Sequence, residues 1–199
     1  FRYERTQRGR LREHWQLNVD LFGATESAAD EEIVVVAYRL LRELGADDSM
    51  FQIRVNNRQL LQRSLNSALN DPSVYMEAVQ LIDRKEKMPR EEFDAAWSEL
   101  SNVAFDEAMK PDAEIITFIQ NLKHRGVENA VYGPNIVRGF TYYTGTVFEI
   151  FDTDPENNRS MMGGGRYDNL IGQYASEDLP AVGFGFGDIT LRLFLESHH

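Results

Sequence analysis

REHWQLNVDLF, residues 12–22, alternates without a break from His14 to Leu21: His14, Gln16, Asn18 and Asp20 fall on one side, Trp15, Leu17, Val19 and Leu21 on the other. A period of two over this length specifies a strand, because successive side chains point to opposite faces. The apolar side packs. The other side offers hydrogen-bonding groups, where a strand facing water would more usually carry Lys and Glu. Residues 1–5 read as a partner strand, with Arg5 to Arg10 as the connecting loop. At the far end of the chain, PAVGFGFG (180–187) reads as a second strand, with Gly183, Gly185 and Gly187 stripping one face bare while Phe184 and Phe186 anchor the other.

Outward from these strands, residues 28–44 read as a helix stopped by Gly45, and 50–56 as a strand. From 58 to 125 the pattern is helical and polar, with helices expected over 58–69, 73–85, 90–108 and 112–124, punctuated by Pro72, Pro89 and Pro111. Strands return at 141–151 and 157–162, and GGGRYDNLIGQY (163–174) reads as a glycine-rich turn entering a helix. A final helix is expected over 188–196. Hairpins outnumber βαβ units, so the fold class is α+β around an antiparallel sheet. The division expected is 1–57 and 127–199 as two parts of one core, with 58–126 as a helical insertion.

Composition narrows the function. The chain has 199 residues with 42% hydrophobic and 27% charged, an ordinary globular balance. It has no cysteine, which excludes thiol catalysis, disulfides and Cys-zinc sites. No apolar run approaches the ~20 residues of a bilayer span, and the expectation is a cytoplasmic protein. The formal net charge is −11, which argues against a general nucleic-acid clamp. Yet residues 1–12 hold Arg2, Arg5, Arg8, Arg10 and Arg12 against one acid, Glu4. Such a cluster in an acidic chain marks a local anion site, since guanidinium forks match phosphate and carboxylate oxygens.

Three further constellations carry chemistry. RGFTYYTG (138–145) sets Arg138 before adjacent tyrosines, Tyr142 and Tyr143, expected on opposite faces of a strand. GGGRYD (163–168) lets a backbone approach a ligand closely. GFGFG (183–187) is not a dinucleotide fingerprint, because the spacing is GxGxG and no βαβ unit follows. A P-loop is excluded because no Gly-Lys-Ser/Thr follows a glycine-rich loop. The four histidines lack metal-ligand spacing, and no protein-held metal is expected.

These residues together resemble a known family. FRYERTQRGRLRE (1–13) is similar to motif 2 of the class II aminoacyl-tRNA synthetases in its histidyl-tRNA synthetase form. RGFTYYTGTVFEI (138–150) and GGGRYD resemble that family's two histidine-specific motifs, and GFGFGDITLR (183–192) its motif 3. Motif 1, the early histidine-binding segment and the anticodon-binding domain are not in the chain, which the resemblance marks as a catalytic-domain fragment. The resemblance implies a class II antiparallel sheet, with ATP (as its Mg2+ complex), L-histidine and tRNA(His) as substrates and a homodimeric full-length protein. Arg2 would bridge the α-phosphate and the substrate carboxylate, Glu4 would accept from the adenine amino group, Arg10 would hold the γ-phosphate side, and His14 and Arg192 would flank adenine. Gln16 would hold the α-amino end of histidine, with Asp20 and Tyr143 on the imidazole. Arg138 would neutralise the two anions as they meet, making Arg138 and Arg2 the catalytic pair. Tyr142, Tyr167, Gly164, Gly165, Gly183 and Gly185 would complete the histidine pocket. Thr141 stands where the family has Asp, Thr6 where it has Pro, and Arg192 lies further from the glycines than is usual. The competing readings are a non-catalytic paralogue serving as regulatory subunit of ATP phosphoribosyltransferase, and a general histidine-binding module. Retention of Arg2, Glu4, Arg10 and Arg138 together favours the ligase.

Overall fold

A largely antiparallel six-stranded sheet forms the centre of the fold. The computed structural model describes residues 3, 5–9, 11–137 and 142–198. Arg2, Glu4, Arg10, Arg138 and Thr141 therefore lie outside the described residues, as does most of the strand expected over 1–5, of which Tyr3 and Arg5 are not in a strand. The elements run β1 (Gln16–Phe22), α1 (Ser27–Glu43), β2 (Phe51–Asn57), α2 (Arg58–Ala68), α3 (Tyr75–Arg84), α4 (Arg90–Leu100), α5 (Phe105–Ala108), α6 (Ala113–His124), β3 (Ala130–Tyr132), β4 (Thr146–Asp152), β5 (Ser160–Arg166), β6 (Ala181–Gly187) and α7 (Asp188–His198). The strand order is β1-β6-β5-β4-β2-β3, and every pair is antiparallel except β2 with β3.

Local chemistry explains the helix limits. Gly45 (φ +93°) ends α1, with Ala46 N–H donating to Leu41 O and Gly45 N–H to Arg42 O. Gly126 (φ +88°) ends α6 in the same way through Val127 to Leu122 and Gly126 to Lys123. This double bond past the helix end needs a left-handed residue, which glycine adopts without a Cβ clash. At the other ends, the Asn57 side chain accepts from the N–H groups of Gln59 and Leu60, and that of Asp112 from Ile115.

One sheet face is apolar. Val55, Ile53, Phe148, Ile150, Phe184 and Phe186 lie on it beneath Ile33, Val34, Ala37 and Leu41 of α1 and Ile115, Phe118 and Leu122 of α6. Fully buried Phe194 of α7 joins the same core. A second cluster, containing Leu65, Ile82, Phe93, Trp97 and Phe105, holds α2 to α5 together.

Four expectations are corrected. Gly163, Gly164, Gly165 and Arg166 continue β5 and do not form a turn, and the helix expected after them is only a 3-10 turn at 171–173. They stay extended because β4 and β6 pair on both sides of them. The helix expected over 90–108 breaks at Ser101, whose hydroxyl donates to Ala68 O and whose backbone bridges Leu69. The strand β3 has no counterpart in the sequence reading. Among the apolar residues of the alternating stretch, Val19 and Leu21 pack against the core while Trp15 (78% exposed) and Leu17 (48%) do not.

Gly164 lies in β5 opposite Phe184 of β6, with no room for a side chain. A Cβ there would strike Gly183 O and Phe184, whereas one on Gly163 would meet Glu149 at an ordinary 3.7 Å. Gly164→Ala should therefore lose about 1–3 kcal/mol of stability, and Gly163→Ala should stay within about 0.5 kcal/mol. Equal losses in urea denaturation would contradict this packing.

Candidate active site

The face of the sheet opposite the core is polar and hollow. Residues opposite one another in an antiparallel ladder project from the same face. Gln16 stands opposite Gly187, Asn18 opposite Gly185, and Asp20 opposite Gly183. Gly163 pairs with Gly185, and Glu149 with Gly163, which extends the bare strip across β6 and β5 and sets a buried carboxylate (8% exposed) on β4 at its far side. A Cβ on Gly183 would fall on the Asp20 carboxylate, and one on Gly185 on the Gln16 amide. The glycines thus make room both for these side chains and for the cleft above them, whose volume is about 580 Å³. His14, Tyr142, Tyr143, Tyr167 and Thr190 form its walls.

The polar groups are interlocked. The Tyr167 hydroxyl donates to Asp20 Oδ1, and Gln16 Nε2 donates to Asn18 Oδ1 at 2.6 Å. Burial, then the bond to Asp20, raises the Tyr167 phenol above its usual value. Burial and the Tyr142 hydroxyl raise Tyr143 likewise. Both phenols therefore remain neutral at physiological pH, available as donors and acceptors. The Tyr142 and Tyr143 rings lie 4.3 Å apart between centroids, and Tyr142 meets Tyr167 edge to face at 6.5 Å.

Behind the cleft, Arg166 ties the walls to the scaffold. Its guanidinium donates to Asp30 Oδ1 (Nε 2.8 Å, Nη2 2.5 Å), to Ala24 O (2.8 Å) and to Asp168 Oδ1 (3.1 Å). Burial works against this cation, but the bonds to Asp30 and then Asp168 outweigh it and raise its pKa. The Thr144 hydroxyl donates to Asp168 Oδ2 at 2.8 Å. Tyr143 and Tyr167 are each chain neighbours of this network, so their backbones are fixed from outside the cleft.

The structure brings together His14, Gln16, Asp20, Tyr142, Tyr143, Tyr167, Gly183 and Gly185 around one cleft. It does not bring Gly164 or Gly165 to the lining: Gly164 turns to the core side, and Gly165 is covered by Tyr143. Arg192 lies exposed on α7, paired with Glu196 at 3.6 Å, away from the lining. Tyr142 and Tyr143 precede β4 and both face the cleft, correcting the expected split across a strand. The sequence reading missed Glu149, Ser160 and Thr190 as lining residues, whereas Gly163, expected with Gly164 and Gly165 in the floor, does line the cleft. Glu149 carried a signal, as the one acid in TVFEIF.

Comparison with known proteins decides the family. The histidyl-tRNA synthetase family model matches residues 87–188. The chain belongs to the histidyl-tRNA synthetase family. It is 39% identical to the histidine–tRNA ligase of Leptospira biflexa over all of its length and 51% of that protein. It is 38% identical to that of Thermoplasma volcanium, with 99% of this chain and 51% of that protein covered. The chain thus spans about half the length of the curated relatives it matches. The histidyl-tRNA synthetase of Nostoc sp. PCC 7120 has the same fold, with a TM-score of 0.74 and 22% identity across 94% of this chain and 51% of that one. A Bacillus halodurans structure described as an ATP phosphoribosyltransferase regulatory subunit/histidyl-tRNA synthetase follows, with a TM-score of 0.68 and 20% identity across 92% and 52%. The sheet is the class II synthetase sheet. Among the described residues no helix is long and apolar enough to cross a membrane.

Asp30 and Arg166 are 4% and 7% exposed, so removing one partner strands a buried charge. Asp30→Ala should cost about 3–5 kcal/mol in chemical denaturation. A cost below about 1 kcal/mol, the worth of an exposed ion pair, would show that the network does not hold the cleft walls.

Proposed function

We propose that this chain is the catalytic core of a histidine–tRNA ligase, which joins histidine to ATP as histidyl-adenylate, releases pyrophosphate and passes the histidyl group to tRNA(His). The observation that carries the reading is the convergence of Gln16, Asp20, Tyr143 and Tyr167 on one cleft floored by Gly183 and Gly185. In the reaction a carboxylate oxygen of histidine attacks the α-phosphorus, a new acyl–phosphate bond forms, and the bond to the β-phosphate breaks. Arg138 and Arg2 neutralise the two anions as they meet and orient the attack, which is positioning and electrostatic stabilisation rather than proton transfer. Glu4 and His14 serve adenine, Arg10 the γ-phosphate side, and Mg2+ arrives with ATP as part of the substrate. The assignment of Arg192 to adenine has no support from its exposed place on α7.

In the amino-acid half of the cleft, Gln16 holds the α-amino end and Asp20 accepts the ring N–H. The bond from Tyr167 to Asp20 leaves further acceptor positions on the carboxylate. Tyr143, kept neutral, serves the other ring nitrogen. Gly164 and Gly165 support this pocket through their backbone alone, and Tyr142 packs against Tyr143. The division into core 1–57, insertion 58–126 and core 127–199 is part of this reading. The separate apolar cluster of α2 to α5 supports it, although α6 packs its Ile115, Phe118 and Leu122 into the sheet's core. A homodimeric, cytoplasmic full-length protein completes the proposal.

The test is histidine-dependent exchange between pyrophosphate and ATP by the full-length protein, with Asp20→Asn beside it. Exchange is expected in the wild type. The variant should raise the KM for histidine by a factor equivalent to about 1.5–3 kcal/mol, leaving that for ATP nearly unchanged. A wild type that binds histidine without exchange, while stimulating ATP phosphoribosyltransferase, would hand the function to the regulatory reading. A histidine KM within twofold in the variant would mean that Asp20 does not read the ring.

A further inference from the structure

The arginine-rich loop is held in place from outside the family motifs. Arg8 Nε donates to Glu156 O at 3.2 Å, and its Nη2 to Asn157 Oδ1 at 3.0 Å. Reaching the other way, Arg159 Nε donates to Arg8 O at 2.9 Å, and its Nη2 to Gln7 Oε1 at 2.7 Å. Each arginine grips the other's segment, so the loop and the β4–β5 turn are clasped at four points. All four bonds end on neutral oxygens, carbonyl or amide. The clasp therefore fixes the loop through bonds that themselves set no carboxylate on its guanidinium groups.

The turn is itself anchored. Asn157 is 8% exposed, and its Nδ2 donates to Asp152 Oδ2 (2.8 Å), Ser197 Oγ (2.9 Å) and Leu193 O (3.3 Å). It thus links the end of β4 and α7 to Arg8. Gly9 takes φ +71°, and a Cβ there would lie 2.9 Å from Arg159 Cδ, so the loop bends sharply at the point where Arg159 crosses it. Met161 and Thr190 line both the small cavity under this clasp and the large cleft, which makes the two adjacent. Arg10 is the next residue along the chain from Gly9.

We propose that Asn157 and Arg159 are positioning residues for the nucleotide. They hold the arginine-rich loop at the cleft so that it meets the triphosphate, and they act through Arg8 and Gln7 without touching ATP. The identity of the nucleotide rests on the ligase reading above. Neither residue belongs to the motifs that carry the family resemblance, and a loop crowded with like charges needs an external anchor to hold one conformation. The bland alternative is that the clasp only stabilises the fold. It predicts a lower melting temperature with no selective effect on either substrate.

The experiment uses Arg159→Ala in the full-length protein, with Gln7→Ala as a second variant that cuts the same bond from the other side. ATP affinity is measured by equilibrium titration, the KM values for ATP and histidine by pyrophosphate exchange, and loop exposure by the rate of tryptic cleavage within residues 5–12. The proposal expects ATP affinity to weaken on the order of tenfold, as for loss of one charged hydrogen bond. Cleavage should quicken, while the histidine KM stays within twofold and the melting temperature holds. Unchanged ATP affinity in Arg159→Ala overturns the proposal, as does an equal rise in both KM values. Should the wild type show no exchange, the ligase reading falls, and the titration and cleavage arms still decide the clasp.

Discussion

Three cross-strand pairs set the rest of the structure: Gln16 with Gly187, Asn18 with Gly185, and Asp20 with Gly183. In each, a polar side chain stands over a residue that has none. A sheet with side chains on both faces of every strand would fill this space, and β6 would become an ordinary central strand. With glycine at alternate positions, Phe184 and Phe186 supply the core on one face while the other becomes a floor of exposed peptide. The same alternation that folds the chain therefore hollows out its cleft. A register slip of one residue would exchange the two faces, putting phenylalanine in the cleft and carboxylate in the core. Fold and site are thus specified by one constraint.

The cleft walls depend on that floor and on a second layer behind it. Tyr167, the residue after β5, bonds to Asp20, which joins the end of β5 to β1 across the intervening β6. Arg166, the preceding residue, points to the other side and bonds to Asp30 and to the β1–α1 connection at Ala24. Alternation carried one residue past the end of β5 thus sends neighbouring side chains to opposite faces, one to the site and one to its support. Asp168 carries the support on to Thr144, and so to the segment that holds Tyr142 and Tyr143. Preorganisation of this kind limits reorganisation when a polar ligand arrives, which is where specificity and rate are gained.

Much of this was legible because it is periodic. The alternation in 12–22 and 180–187 identified two strands and their faces, and Gly45 and Gly126 marked two helix ends where only a left-handed residue serves. The resemblance named Asp20, Gln16, Tyr143 and Tyr167, and the structure sets them around one cleft. What escaped depends on neighbours distant in sequence. GGGR reads locally as a turn, since glycine disfavours strands, and is extended only because β4 and β6 flank it. Glu149 is a lone acid whose burial follows from its place opposite Gly163. The β4–β5 turn looks like any polar turn until Arg8 and Arg159 are seen to cross-bond. The three-residue β3 is too short to show a period at all.

The central claim is that the glycine strip is the floor of the histidine site, and one measurement tests it most directly. Gly185 faces the cleft, and a side chain there would meet first the Gln16 amide, the far end of a long side chain that can shift with its bond to Asn18. Gly185→Val can therefore be accommodated by the fold while the cleft fills. Equilibrium titration of L-histidine against the full-length wild type and this variant, at matched melting temperatures, reads the consequence. The account predicts that histidine binding is weakened by more than about tenfold, the equivalent of about 1.4 kcal/mol. Histidine bound by the folded variant as tightly as by the wild type would contradict it.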